Sequence, residues 1–206
     1  MNPEGSGRAD SNVKPRFLLA FAIGALLPAA PALATSLSGQ VLGAGAPVAG
    51  ATITLWAASS GAAKQLAQAR SGADGHFAVS APGTVDKDTS LYLIAKGGRS
   101  TADKSPGDNP AIALLTVVGS HPPARVTINE FTTIASVWTH NQFIEGAAIQ
   151  GPPLALRIAA SHVPSFVDLP TGGYGNVIGD ALNSAQTPTL ANFATLRSEE
   201  RRVGKE

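Results

Sequence analysis

The chain has 206 residues, a formal net charge of +1, 14% charged residues and no cysteine. A balance so close to zero leaves no electrostatic footprint for nucleic acid, and the lack of thiols excludes disulfides, thiolate metal sites, cysteine nucleophiles and a lipidated cysteine. The 22 glycines and 15 prolines, spread along the chain, exclude one long helical bundle.

At the N-terminus, Arg8, Lys14 and Arg16 precede an apolar run from Phe17 to Leu27, and a Pro/Ala-rich stretch closes with Ala32-Leu33-Ala34. This order of basic, apolar and small residues predicts a secretory signal peptide over residues 1–34, cleaved after Ala34. A bilayer core needs roughly 20 helical residues, more than this run supplies, so membrane contact is expected only through an uncleaved signal segment. There is no twin arginine, which points to the general export route. The expected location is secreted, periplasmic or at the cell surface.

From Thr35 to Gly119 the hydrophobic period is two. Leu37, Gly39 and Val41 share one face, and Ala51, Ile53, Leu55 and Ala57 alternate with Thr52, Thr54 and Trp56. Phe77 with Val79, then Leu91 with Leu93 and Ala95, supply further inward sets. Turn residues fill Gly43–Gly50, Ser71–Gly75 and Ala81–Thr84. Five to seven short strands so joined predict an antiparallel β-sandwich over residues 35–119. Pro47 fixes φ ahead of a strand, Gly50 permits a positive φ, and Asp74-Gly75 reads as a tight hairpin turn that leads Phe77 into the core.

The segment GAPVAGATITL (Gly45–Leu55), with SGADGHF (Ser71–Phe77) and the lead-in Gly39-Gln40-Val41, resembles the carboxypeptidase regulatory-like domains, a transthyretin-like group of secreted bacterial proteins. The resemblance spans about residues 36–97. It rests on Gly39, Val41, Pro47, Val48, Gly50, Ala51, Ile53 and Leu55, then Asp74, Gly75 and Phe77. It implies an Ig/transthyretin-like sandwich acting as a rigid spacer or binding module rather than as a catalyst, an inference at the level of fold.

Residues 120–196 read as an α-helical region. Thr127-Ile128-Asn129-Glu130 has the spacing of a reciprocal cap and predicts a helix start, followed by an apolar stripe of Phe131, Ile134, Ala135 and Trp138 expected to face the core. Leu154–Ala160 predicts a second helix ending before Pro164. Thr187-Pro188 opens a third, bearing Leu190, Phe193 and Leu196. Asn129–Ala135 (NEFTTIA), together with Val167–Ser184, resembles a segment that precedes β-propeller repeats in some secreted bacterial proteins, which implies the N-terminal part of something larger. Arg197–Glu206 (RSEERRVGKE) breaks sharply with the composition before it and resembles a translated sequencing-library adaptor. Residues 197–206 are therefore expected to be an artefact, with the natural reading frame continuing beyond Leu196.

Few residue types carry chemistry. His76, His121, His140 and His162 show no metal-ligand spacing and are expected on the surface or in turns. Asp74-Gly75 lacks the further oxygen ligands of a calcium loop. Thr171–Gly175 (TGGYG) lacks the Gly-Lys-Ser/Thr of a phosphate loop and reads as a flexible loop. There is no G-x-S-x-G elbow, and Glu130 reads as a helix cap rather than a general acid. No catalytic residue, metal or cofactor is expected. Trp56, opposite Ile53 and Leu55, is the one ligand-binding candidate, because an exposed aromatic can stack on a sugar ring; packing under a neighbouring loop is the competing role. The expected function is a non-catalytic structural or interaction module of an exported bacterial protein, with a cell-surface or glycan partner. The alternatives are a carbohydrate-binding module using Trp56, or the N-terminal part of a larger secreted enzyme or β-propeller protein.

Overall fold

The computed structural model describes residues 35–81, 86, 88–103, 107–186 and 188–203, with the backbone alone at 35, 184–186 and 197–203. The expected signal peptide, residues 82–84 of the expected 81–84 turn, Thr187 and the last three residues lie outside the described residues.

Nine strands come first: β1 (Thr35–Gly43), β2 (Ala46–Ala49), β3 (Thr52–Ala58), β4 (Lys64–Arg70), β5 (His76–Ala81), β6 (Ser90–Lys96), β7 (Arg99–Ser100), β8 (Ala113–Gly119) and β9 (Arg125–Ile128). Helix α1 (Glu130–His140) leads to the short strands β10 (Ile144–Glu145) and β11 (Ala148–Ile149), then to α2 (Pro153–Phe166), β12 (Val167–Asp168), β13 (Gly173–Tyr174), α3 (Ala181–Gln186) and α4 (Thr189–Val203). Among the described residues no helix is long and apolar enough to cross a membrane.

Two larger sheets share one core. The first runs β5-β1-β2-β7, with β9 added parallel to β1; the second is the antiparallel β4-β3-β6-β8. The period of two explains the packing: Leu37, Val41, Phe77 and Val79 of the first sheet and Ile53, Leu55, Leu91 and Leu93 of the second are all buried in that core. Strand β6 is buried on both faces, because Ser90, Tyr92 and Ile94 lie opposite Leu91, Leu93 and Ala95. The Ile149 N–H donates to the Tyr92 hydroxyl at 3.3 Å, so β11 covers part of that second face.

The sheets and helices are therefore joined across the expected boundary at residue 119. Strand β9, in the stretch read as helical, completes the first sheet, and the stretch read as a turn over Gly43–Gly50 contains β2. The Asp74-Gly75 turn joins strands of different sheets rather than forming a hairpin, since β5 pairs with β1 and β4 with β3.

Helix α1 begins two residues later than its expected cap. Asn129 is the N-cap: its side chain accepts the Thr132 N–H at 3.0 Å while the Thr132 hydroxyl accepts the Asn129 N–H at 2.9 Å. Thr127 is held in β9, paired with Gln40, and its hydroxyl donates to the Pro170 carbonyl at 2.8 Å. Glu130 is buried and accepts the Ala44 N–H through Oε1, pinning the β1–β2 turn instead of capping its own helix. The expected stripe is also turned: Phe131 and Ala135 are buried, but Trp138 is 60% exposed, while Thr132, Ser136 and His140 have no exposed surface. Part of the reason is the β8 edge, whose Leu115 and Val117 N–H groups meet the hydroxyls of Thr133 and Ser136. Helix α2 runs through Pro164 instead of ending before it. A proline so near the end of a helix removes a single bond, to the Ala160 carbonyl, and keeps helical φ.

Candidate functional site

Several of the residues that carry the resemblance, Val41, Pro47, Val48, Gly50, Ala51 and Gly75, lie at one corner. Two of the crossings between the sheets, β2 to β3 and β4 to β5, pass Ser71. Its hydroxyl donates to the Val48 carbonyl at 2.7 Å and accepts the Ala51 N–H at 2.9 Å, and its backbone exchanges bonds with Gly50 and Ala51 at 3.1 and 3.0 Å. Gly75, at φ +75°, faces the same corner from the next turn: a Cβ there would lie 2.6 Å from the Val41 carbonyl oxygen and 3.2 Å from Pro47 Cβ. Asp74 closes the turn by accepting the His76 N–H at 3.1 Å, and that bond, more than the nearby imidazole, lowers its pKa. Every group here is satisfied by another part of the scaffold, which leaves the corner with a clasping role.

A cleft of about 540 Å³ lies elsewhere, where three segments meet: the β8–β9 connection, one side of α2 and residues 167–176. Val118, Ala160, Val167 and Leu169 give it apolar walls, and Pro123, Pro164 and Pro170 stiffen its rim. Residues 167–176 are pinned to α2, with Gly175 donating to the Phe166 carbonyl at 2.9 Å and Ile178 to the Ser165 carbonyl at 3.0 Å. Gly175 permits that approach, since a Cβ would lie 2.6 Å from the Val167 nitrogen. The TGGYG segment is thus hydrogen-bonded into place, with Asn129 Nδ2 donating to the Gly172 carbonyl at 2.9 Å, where a flexible loop was expected.

The polar groups of the cleft divide into committed and uncommitted ones. Asp168 accepts both the Thr171 hydroxyl and, at 3.2 Å, the Thr171 N–H; the Ser161 hydroxyl donates to the Ile158 carbonyl at 2.7 Å; Ser120 Oγ sits 3.0 Å from His121 Nδ1. Arg157 and Asn176 also line the cleft, and among the described residues neither side chain has a hydrogen bond or ion pair. Sequence reasoning missed this site, because its polar members come from three separate segments with no motif among them.

Trp56 lies on the face opposite Ile53 and Leu55, as its position in β3 requires, but half-buried. Its ring runs nearly parallel to that of its cross-strand partner Tyr92, with centroids 6.3 Å apart and an interplanar angle of 12°. Its indole N–H is buried without a hydrogen-bond partner. The ring is thus stacked on Tyr92 with part of its surface open. His76 is exposed and lies 3.1 Å from Asp74, while His121 and His162 are exposed on the cleft and on α2. His140 departs from its expected surface place and is fully buried. Among the described residues no group of three or more His, Asp and Glu side chains is placed to hold a metal ion.

No family model matches the chain, and no curated protein matches it. Among solved structures, a 9R-lipoxygenase from Cyanothece PCC8801 is similar in part, at 16% identity and a TM-score of 0.26; the match covers 47% of this chain and 15% of that one. A likeness at that level defines neither fold nor activity.

Proposed function

We propose that the chain is a non-catalytic structural or interaction module of an exported protein, with a sandwich of the transthyretin-like, carboxypeptidase regulatory-like kind. The observation that carries this reading is the corner at Ser71. Pro47, Val48, Gly50, Ala51 and Gly75, five of the eleven residues on which the resemblance rests, meet there, where the two sheets are hydrogen-bonded together. Those positions serve rigidity, which suits a module that presents a surface.

The apolar run and the Ala32-Leu33-Ala34 ending support export. Expression of the full chain in a bacterial host, followed by fractionation and N-terminal sequencing, tests this. A periplasmic product that starts at Thr35 is expected; a cytosolic product that retains Met1 contradicts export.

A further inference from the structure

The geometry points to the cleft between the β8–β9 connection, α2 and residues 167–176 as a binding site for the carboxylate of an apolar molecule, and this rests on the reading of the chain as an interaction module. Three observations meet there. The walls are apolar and stiff, so little conformational entropy is lost when a ligand is held. The one carboxylate in the lining, Asp168, holds the Thr171 hydroxyl and N–H through Oδ2 and reaches neither Arg157 nor Asn176. The donors of Arg157 and Asn176 are not occupied by anything among the described residues.

An unfilled excess of donors beside apolar walls selects an acceptor with an apolar body. The planar guanidinium of Arg157 suits a carboxylate in particular, since it can donate two parallel N–H bonds to the two oxygens. The Asn176 amide can add a further donor. A volume of about 540 Å³ falls within the range of small-molecule sites and also accommodates the end of a peptide. The same chemistry thus arises from a free fatty acid or from the C-terminus of an apolar polypeptide.

Amide-resolved NMR on the ¹⁵N-labelled full chain tests this with four probes: octanoate, octanamide, and acetyl-Val-Pro-Leu with a free or an amidated C-terminus. Saturable shifts at Ser120, His121, Ser161 and Asn176 are expected with at least one of the carboxylates, and which of the two produces them identifies the source. The matching amide is expected to bind about tenfold or more weakly, and Arg157→Gln to weaken carboxylate binding by a similar factor. Arg157 is exposed, so that variant keeps its fold, which its own unperturbed spectrum checks. Absence of shifts with both carboxylates up to about 10 mM, equal binding of the amides, or unchanged binding by Arg157→Gln overturns the assignment; a millimolar ceiling corresponds to only about 3–4 kcal/mol of affinity. Export and the role of Ser71 are read out by other measurements, so their outcome stays separate from this one.

Discussion

The hydroxyl of Ser136 accepts the backbone N–H of Val117 at 2.9 Å, so a helix side chain stands where the next strand of the sheet would be. Thr133 does the same for Leu115 at 3.0 Å, and the Thr116 hydroxyl donates to that of Thr132 at 2.7 Å. An uncovered strand edge invites pairing with other chains, and α1 closes this one with hydroxyl acceptors. The opposite edge of that sheet, β4, is handled differently: its register shifts beside Leu55/Trp56, and it carries Lys64 and Arg70.

Replacing Ser136 by alanine leaves the buried Val117 N–H without its acceptor. A loss of about 1–3 kcal/mol is expected in urea unfolding, with selective loss of exchange protection at the Val117 amide. Thr133→Ala is expected to act likewise at Leu115. The double variant is expected to associate at concentrations where the parent stays dispersed, which light scattering measures; unchanged protection at both amides contradicts the edge-capping role.

At the corner between the sheets, Ser71→Ala removes a donor and an acceptor from a buried site. Stability is expected to fall by roughly 1–3 kcal/mol. Gly75→Ala meets a positive φ and the Val41 carbonyl together, so its cost is expected to exceed the 1 kcal/mol or so of a simple strained turn. Gly61→Ala, with open space around the new methyl group, is the control and is expected to stay within about 0.5 kcal/mol. Equal effects at Gly61 and Gly75 contradict the clasp.

His140 makes stability depend on pH. Burial holds its pKa down at about 4, against contacts with the Ser136 and Leu156 backbone that raise it. Nδ1 lies 2.8 Å from the Thr139 hydroxyl and 3.2 Å from the Ser136 carbonyl, while Nε2 is buried and makes no hydrogen bond of ordinary geometry. The unfolded chain binds the proton near the ordinary value of about 6.5, so between 6.5 and 4 the unfolded state holds more protons, and stability falls as pH falls. The contribution of this group is complete above about pH 6.5 and declines by up to about 1.4 kcal/mol per unit below it. Urea unfolding at pH 7.5 and 4.5 should show His140→Phe losing roughly 2–3 kcal/mol less than the parent over that interval. Identical losses contradict the assignment.

The hydroxyl of Tyr92 is the acceptor for the Ile149 N–H, and burial raises its pKa against that bond. Tyr92→Phe is expected to keep the sheet but destabilise the chain by about 1–2 kcal/mol, with faster exchange of the Ile149 amide as the specific sign. A uniform change in exchange, without that local signature, contradicts the link between β6 and β11.

Strands with a buried and an open face could be read from their period, as β1, β3 and β5 were. Strand β6 kept its place, but its second buried face was not legible, since Ser90 and Tyr92 look like outward residues until something covers them. Helix α1 was found but rotated and shifted. Thr127/Glu130 and Asn129/Thr132 share one spacing, and only the pairing of Thr127 with Gln40 in the sheet decides between them. Its buried polar residues defeat a hydrophobicity reading: Ser136 meets the Val117 N–H, Thr132 meets the Thr116 hydroxyl, and His140 lies against its own helix and Phe143. The cleft stayed hidden because Ser120, Arg157 and Asn176 become neighbours only after β9 joins the first sheet and α2 folds back.

The central claim is that sheets and helices form one scaffold, closed by α1 along the β8 edge and clasped at Ser71. Native-state hydrogen exchange across a urea series tests it most directly, with the amides of Leu93 in β6, Val117 in β8 and Ala135 in α1 followed together. The account predicts that all three converge on the same free energy of opening and the same dependence on urea. Opening of Ala135 at a distinctly lower free energy, while Leu93 and Val117 stay protected, contradicts it.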